Sequence, residues 1–203
     1  MEQVSRCSFR AHWDECCSET ITARYVRADN TDKMTDDEVL RLLQVTFAVE
    51  RPAHFTNHPG CSECAEHDDT LQAHTLESLG YAEVGSAAWN PITMCTPEAF
   101  GYWLPALARI CLAPEDTHWG WYGDQLFTSD LRRDGPRNER WAYCTPVQRT
   151  AIAHFVEHVI DTREGLIEDY DLQHEMLDVL SIWSDAGDSA GDGLTGSGEL
   201  PSR

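Results

Sequence analysis

The sequence predicts a mainly α-helical protein, a single compact domain of about five helices. Three dipeptides of a kind that typically begins a helix each precede an apolar run: Thr35-Asp36, Thr96-Pro97 and Thr145-Pro146. No segment sustains the strict apolar–polar alternation of a half-buried strand. With 203 residues, of which 41% are hydrophobic, the chain is long enough to form one domain with a core.

The first helix is expected in TDDEVLRLLQVTFA, which begins at Thr35. The Thr35 hydroxyl can cap this helix, while Glu38, three residues later, completes a capping box. The apolar residues of the segment recur at helical spacing and form one stripe: Val39, Leu42, Leu43 and Phe47.

Two further helices are expected to begin with Thr-Pro, because proline is favoured at the first helical position. Thr96 and Pro97 open CTPEAFGYWLPALARICL, in which Pro105 predicts a bend. Thr145 and Pro146 open CTPVQRTAIAHFVEHVI. The apolar stripe of that third helix consists of Ile152, Phe155, Val156 and Val159.

Two more helices complete the prediction. DLQHEMLDVLSIW carries the apolar residues Leu172, Met176, Leu177, Leu180 and Trp183, and DQLFTSDLRR is a shorter helical segment. The connection between the first two clear helices is rich in Cys and His and is expected to be irregular. Within it we expect a short helix from Ser62 to about Leu79.

The ends of the chain differ from its centre. We expect residues 1–34 to be a poorly structured N-terminal extension and residues 35–184 to be the helical domain. Residues 185–203 contain mostly Gly, Ser and Asp, with little to bury, and are predicted to form a flexible, disordered acidic tail.

The sequence shows no signal for export or membrane insertion. The first residues lack the apolar run of a secretory signal, and no stretch reaches the length of a transmembrane helix. We therefore expect a cytoplasmic protein whose eight cysteines are free thiols or metal ligands.

Charge excludes some functions and favours another. The chain carries 35 acidic and 15 basic residues, a net charge of −20, which disfavours binding to nucleic acid. Lys33 is the only lysine, so the chain has no P-loop. Residues 52–108 contain no Lys or Arg, and Arg163 is the only cation between residues 151 and 201, against twelve acids. This asymmetry predicts a basic protein as the partner.

The expected partner surface combines acidic and aromatic residues: Glu157, Asp161, Glu164, Glu168, Asp169, Asp171, Trp119 and Trp121. A charged face that only contacts water explains part of these acidic residues as well as a partner surface does. The two tryptophans, in THWGWYGD, have two interpretations. Such aromatic clusters most often anchor a core, and exposed Trp residues are also frequent contact hot spots.

The densest group of metal-ligand residues lies in HFTNHPGCSECAEHDD: His54, His58, Cys61, Cys64 and His67. A Cys-x2-Cys turn directs two thiolates at one point, and flanking imidazoles can complete a tetrahedron around zinc. We expect one structural zinc, bound by Cys61, Cys64, His67 and either His54 or His58.

Two alternatives remain open for this segment. In the first, the cysteines are unliganded core thiols and the histidines lie on the surface. In the second, Cys61 and Cys64 are a redox pair, although the neighbouring Glu63, Glu66, Asp68 and Asp69 should raise the pKa of a thiol and oppose this chemistry.

The segment HFVEH matches the H-x-x-E-H pattern of a metalloprotease class. His154 and His158 share one side of the predicted helix, but both point away from its apolar stripe. We interpret that side as solvated and the motif as structural.

The runs RPAHFTNHPGCSECAEHDDTL, AAWNPITMCTPEAFGYWLPALARICL and CTPVQRTAIAHFVEHV resemble a family of small bacterial proteins of unassigned function that carry a His/Cys-x2-Cys-x2-His segment. The resemblance covers roughly residues 36 to 160. It implies that the motif and the two later helices belong to one unit, and it transfers no activity.

These patterns favour a non-enzymatic acidic binding protein of the immunity or antitoxin type, which neutralises a basic bacterial toxin such as a nuclease. No catalytic residues are assigned in this interpretation. One alternative is a small metal-dependent hydrolase with Cys61, Cys64 and a histidine as ligands and Glu63 or Glu66 as acid or base. A Cys-x2-Cys redox protein is the other.

Overall fold

The computed structural model describes residues 33–58, 60–85, 88–133 and 138–184. Over these ranges the chain forms nine α-helices and no strand, in one compact domain, which confirms the predicted class. The helices are α1 (Asp36–Thr46), α2 (Ser62–Gln72), α3 (Tyr81–Val84), α4 (Pro97–Leu112), α5 (Tyr122–Gln125), α6 (Glu139–Tyr143), α7 (Pro146–Thr162), α8 (Glu164–Asp169) and α9 (Gln173–Ser184).

Two other helical segments complete the architecture. A 3-10 turn, Pro91–Met94, precedes α4, and α5 continues directly into a π-helical segment, Leu126–Leu131. The sequence predicted an α-helix over this last segment. The expected tail 185–203 and all but the last two residues of the expected extension 1–34 lie outside the described residues.

The five predicted helices all occur, as α1, α4, α5 with its π-helical segment, α7 and α9. The short helix expected from Ser62 to Leu79 ends earlier, at Gln72, and a turn follows in which Ser78 Oγ accepts the Thr75 N–H at 2.8 Å. The unpredicted helices α3, α6 and α8 have four, five and six residues, too few to show an apolar period.

Threonine caps begin α1, α4 and α7 as expected. At α1, Thr35 Oγ1 accepts the Glu38 N–H at 3.3 Å, and the Glu38 carboxylate accepts the Thr35 N–H at 2.8 Å. Thr145 and Gln148 form the same reciprocal pair at α7. At α4, Thr96 Oγ1 accepts the Ala99 N–H. These bonds satisfy N–H groups that otherwise lack partners at a helix start.

Helix α4 lies at the centre of the core. Twelve of its sixteen residues are buried, including Trp103 and Pro105, and the helix continues through Pro105 to Leu112. A helix that is apolar on every side belongs in the interior. Helices α1 and α6 pack against α4, and α7 packs against α1 and α9. No helix in the described part of the chain is long and apolar enough to cross a bilayer.

A polar junction joins α1, α4 and α7. His158 Nε2 lies 2.7 Å from Asp36 Oδ1, and Arg163 Nη2 donates to Asp36 Oδ2 at 2.6 Å and to the Leu112 carbonyl at 2.7 Å. Burial opposes ionisation of Asp36, but the hydrogen bonds from His158 and Arg163 outweigh it and lower the pKa of this carboxyl group.

The prediction that both histidines of HFVEH are solvated was wrong for His158. His154 is exposed beside Glu157, at 3.2 Å, whereas His158 is buried. Helix α1 covers the side of α7 that would be solvated if α7 were isolated. The structural interpretation of the motif fits this burial, because His158 bonds to Asp36 across the helix interface.

A buried ion pair ties the π-helical segment to α6. Arg140 donates to Asp130 Oδ1 and to the Asp130 carbonyl, both at 2.9 Å, and to the Ile92 carbonyl at 2.7 Å. Its guanidinium carbon lies 4.1 Å from the centre of the Phe100 ring. Burial raises the pKa of Asp130, and the charge of Arg140 opposes that shift. One side chain thereby connects four segments of the fold.

Removing the Arg140 charge should therefore cost far more stability than removing an exposed one. We expect Arg140→Ala to lower the free energy of unfolding by about 3–5 kcal/mol, because it leaves the buried Asp130 carboxyl group without the partner that offsets its desolvation. Arg132→Ala, which breaks the part-exposed pairs with Glu175 and Asp178, should cost less than about 1 kcal/mol. Urea denaturation measures both; equal losses would contradict the assigned role of Arg140.

The hydrogen bonds of Asp36 with His158 and Arg163 should make the stability of the protein depend on pH at acidic values. A carboxyl group with a lowered pKa in the folded state stabilises that state above its unfolded pKa of about 3.9, and the contribution is lost as the pH falls through the folded pKa. The stability advantage of the wild type over Asp36→Asn should therefore shrink between about pH 5 and about pH 3. Asp37→Asn, on the exposed side of the same turn, is the matched control, and an equal pH dependence in both variants would contradict the prediction.

Candidate metal centre

The carboxylate of Asp68, on α2, holds the irregular segment that precedes this helix. Asp68 Oδ1 accepts the N–H groups of Phe55 at 2.5 Å and Thr56 at 3.3 Å, and Oδ2 lies 2.8 Å from His54 Nδ1. Thr56 Oγ1 donates to the Cys64 carbonyl at 2.7 Å. Burial opposes ionisation of Asp68, but the hydrogen bonds from His54, Phe55 and Thr56 lower its pKa. Segment 54–56 is thus fixed along α2, with His54 oriented by a buried carboxylate.

Two histidines meet beside this carboxylate. The rings of His54 and His58 stack, with centroids 4.7 Å apart and planes 15° from parallel. The turn that carries His58 is closed by the Gly60 N–H, which donates to the Asn57 carbonyl at 2.6 Å. Both histidines are exposed, whereas Asp68 is buried.

One ligand atom from each of His54, His58 and Asp68 lies within 4.8 Å of the others. Across the described ranges this is the one group of three or more His, Cys, Asp or Glu residues that meets this distance. Imidazole nitrogens and a carboxylate oxygen are ordinary ligands of transition metals, so the group can hold a metal ion.

The ligand set that the sequence predicted is not the set that the structure brings together. His54 and His58 belong to the group, but Cys61, Cys64 and His67 do not. His67 is buried, packs on Trp89 with ring centroids 4.4 Å apart and planes tilted by 45°, and has its Nε2 3.7 Å from Glu63. Its Nδ1 is buried without a hydrogen-bond partner in the described part of the chain.

Helix geometry explains the missed ligand. The prediction followed a spacing of three residues from Cys61 to Cys64 to His67, but an α-helix has 3.6 residues per turn. Asp68, and not His67, lies on the side of α2 that faces segment 54–56, where its carboxylate accepts the Phe55 and Thr56 N–H groups. His67 is one residue earlier and is therefore rotated by about 100° around the helix axis. No spacing within the helix marks Asp68 as a ligand, because its partners come from a segment outside the helix.

Cys61 and Cys64 form a pair at the start of α2. Cys61 is the N-cap residue, and its Sγ accepts the Cys64 N–H at 3.1 Å. The two sulfur atoms lie 2.8 Å apart and share a thiol hydrogen bond. Both cysteines are free; Cys61 is exposed and Cys64 is half-buried.

The two thiols of this pair differ in acidity. The hydrogen bonds that the Cys61 sulfur forms with the Cys64 side chain and with the Cys64 N–H lower the pKa of Cys61. The same thiol–thiol hydrogen bond raises the pKa of Cys64. The negative charge of Glu63 raises both pKa values, as the sequence predicted, but for Cys61 the hydrogen bonds outweigh that charge.

The other described cysteines have a different environment. Cys95, Cys111 and Cys144 are all buried. Burial raises the pKa of Cys95 and of Cys144 to about 12, and that of Cys111 further. Thiols of this kind are protonated and shielded, and so are inert.

The structure separates the residues of the expected partner surface. Trp121 is buried, and its Nε1 donates to the Cys111 carbonyl at 2.8 Å, so it is a core anchor and cannot contact a partner. Trp119 is 40% exposed. Glu157 is half-buried, and the remaining expected contacts are exposed: Asp161, Glu164, Glu168, Asp169 and Asp171.

Comparisons with protein-family models, with curated proteins and with solved structures gave no match to this chain. The resemblance of residues 36 to 160 to a family of small bacterial proteins stays a prediction. Support for a function therefore comes from the geometry of the described residues.

Proposed function

We propose that the protein is a zinc-binding protein whose ligands are His54, His58 and Asp68. The observation that supports this function is the convergence of one ligand atom from each residue within 4.8 Å. Two imidazoles and a carboxylate are an established zinc ligand set. Asp68 also has the hydrogen bonds that orient a ligand, because the Phe55 and Thr56 N–H groups fix its carboxylate.

The number of ligands distinguishes this site from the closed structural site expected from the sequence. Zinc prefers four ligands, and three from the protein leave one position for water or for a group from another molecule. The exposure of His54 and His58 supports a site that is open to solvent. A metal at this site can therefore also coordinate a group from a partner protein or from a small ligand.

A binding role fits the surroundings better than hydrolysis does. Hydrolysis by a metal-bound water needs a positioned acid or base beside the metal. Of the two candidates from the sequence, Glu63 lies 3.7 Å from the buried His67, and Glu66 is exposed. A shallow groove lined by Arg149, His154, Glu157 and Trp183 lies on α7 and α9, away from the segment that carries His54.

Zinc binding is tested by substitution of each ligand. We expect the wild type to bind about one equivalent of zinc, and His54→Ala or His58→Ala to weaken binding by at least about tenfold, because each removes one of three ligands. His174→Ala removes an exposed histidine outside the group and should bind as the wild type does. Isothermal titration with zinc, after removal of metal by a chelator, measures these affinities.

The double variant Cys61→Ser, Cys64→Ser separates the two ligand sets. It should keep its zinc if His54, His58 and Asp68 are the ligands. Loss of zinc from this variant, with retention by His54→Ala and His58→Ala, would reject the proposed set and favour the cysteine ligands predicted from the sequence.

A second candidate function is the neutralisation of a basic protein, of the immunity or antitoxin type. The acidic surface consists of Glu164, Glu168, Asp169 and Asp171, on α8 and the turn after it, and all four are exposed. Arg163, the only cation in residues 151–184, bonds to Asp36 and to the Leu112 carbonyl. Exposed carboxylates of this kind speed association with a basic partner such as a toxin nuclease.

Charge neutralisation of the acidic surface should slow association with that partner. The test variant is Glu164→Gln, Glu168→Gln, Asp169→Asn and Asp171→Asn; asparagine tolerates the positive φ of 56° at residue 171. The control removes equal charge elsewhere, with Asp37→Asn, Glu50→Gln, Glu98→Gln and Glu139→Gln. The probe is a basic protein that copurifies with the chain at low salt.

We expect the test variant to lower the association rate several-fold more than the control does, and the difference to disappear between about 0.05 M and about 0.5 M salt. Surface plasmon resonance measures the rates. Recovery of no basic protein, or equal rates for the two variants, would contradict this function.

A further inference from the structure

We infer that Cys61 and Cys64 are a reversible dithiol–disulfide pair that exchanges with disulfide compounds. This inference does not depend on the proposed zinc site, since neither cysteine belongs to that ligand group. It stands on the arrangement of the two sulfur atoms at the start of α2.

Distance and exposure favour this chemistry. The Sγ atoms lie 2.8 Å apart, so closure to a disulfide bond of about 2.05 Å needs a movement of less than about 1 Å. Cys61 is exposed, which leaves its sulfur accessible to another molecule. The buried Cys95, Cys111 and Cys144 have no such access.

The helix assigns a different role to each sulfur. Cys61 Sγ, at the N-cap of the eleven-residue α2, accepts the Cys64 N–H at 3.1 Å and lies 2.8 Å from the Cys64 sulfur. Hydrogen bonds at a helix N-terminus stabilise a thiolate, which is the nucleophile in disulfide exchange. Cys61 is therefore the attacking cysteine, and Cys64 is the resolving one.

The exchange proceeds in two balanced steps. The Cys61 thiolate attacks one sulfur of a disulfide RSSR, forms the mixed disulfide Cys61–S–S–R and releases RS⁻. The Cys64 thiol then loses its proton and attacks the Cys61 sulfur, which forms the Cys61–Cys64 disulfide and releases the second RS⁻. The two released thiolates take up the two thiol protons, so the protein is oxidised and one RSSR is reduced to two RSH.

The neighbouring acids restrict the class of disulfide that reacts. Glu63, between the two cysteines, and Glu66, one turn further, add negative charge around the pair. A neutral or basic disulfide is therefore a better substrate than an anionic one. 2-Hydroxyethyl disulfide, which is uncharged, is the appropriate probe.

The experiment uses the full reduced chain with a chelator present. After incubation with 2-hydroxyethyl disulfide, free thiols are alkylated and peptides are mapped by mass spectrometry. We expect Cys61–Cys64 to be the main disulfide. Cys64→Ser should trap the mixed disulfide at Cys61, and Cys61→Ser should trap several-fold less at Cys64. The matched control Cys7→Ser, Cys16→Ser, Cys17→Ser removes the N-terminal thiols and should leave the Cys61–Cys64 yield unchanged.

Three results would overturn the inference. The first is equal trapping in the two single variants without an internal disulfide in the wild type. The second is loss of the Cys61–Cys64 disulfide in the N-terminal control. The third is protection of both thiols from alkylation by one equivalent of zinc in the wild type but not in His54→Ala, which would make them metal ligands. Circular dichroism checks the variants, and limited alkylation of the wild type, expected mainly at Cys61, tests the roles if a variant does not fold.

Discussion

The buried carboxylate of Asp68 is the interaction on which the proposed centre depends. A carboxylate that leaves water needs hydrogen bonds to offset its desolvation, and Asp68 obtains them from two backbone N–H groups and from His54. These bonds fix an irregular segment whose own backbone has few partners, and so decide where two histidines lie. Thr56 extends the attachment, through the Cys64 carbonyl on α2 and a bridge to Cys95 before α4. The metal ligands are thereby connected to the helical core.

Several arginines in the described part of this acidic chain hold separate stretches of backbone together. Arginines from several elements donate to main-chain carbonyl groups of distant segments: Arg51, Arg109, Arg140, Arg149 and Arg163. A guanidinium suits this role because it presents five donors in a rigid plane. Arg140 and Arg163 also pair with the carboxylates of Asp130 and Asp36. The exposed acids of α8, Glu164, Glu168 and Asp169, are the basis of the proposed binding to a basic partner.

Sequence patterns within a few residues predicted much of the fold but little of the proposed metal centre. Thr35, Thr96 and Thr145 each cap a helix, because capping depends on residues within three positions. The burial of His158 was not predictable in this way, since Asp36, which bonds to it, lies 122 residues earlier. Asp68 was missed for a related reason: its partners come from a loop whose path depends on tertiary packing. Of the three proposed ligands, only His54 and His58 were predicted from the sequence, because histidine is a common metal ligand whatever its surroundings.

The N-cap of α2 is a cysteine where most helices have Ser, Thr, Asp or Asn. Its sulfur does in this position what a hydroxyl oxygen usually does, and it is also the atom that alkylation, oxidation or metal binding would change. Any such reaction alters the acceptor of the Cys64 N–H and so the stability of the first helical turn, by about 1 kcal/mol for a typical cap. A reaction at the Cys61 sulfur would thus change the stability of the first turn of α2. That turn lies about two turns from Asp68, the carboxylate that positions the histidines.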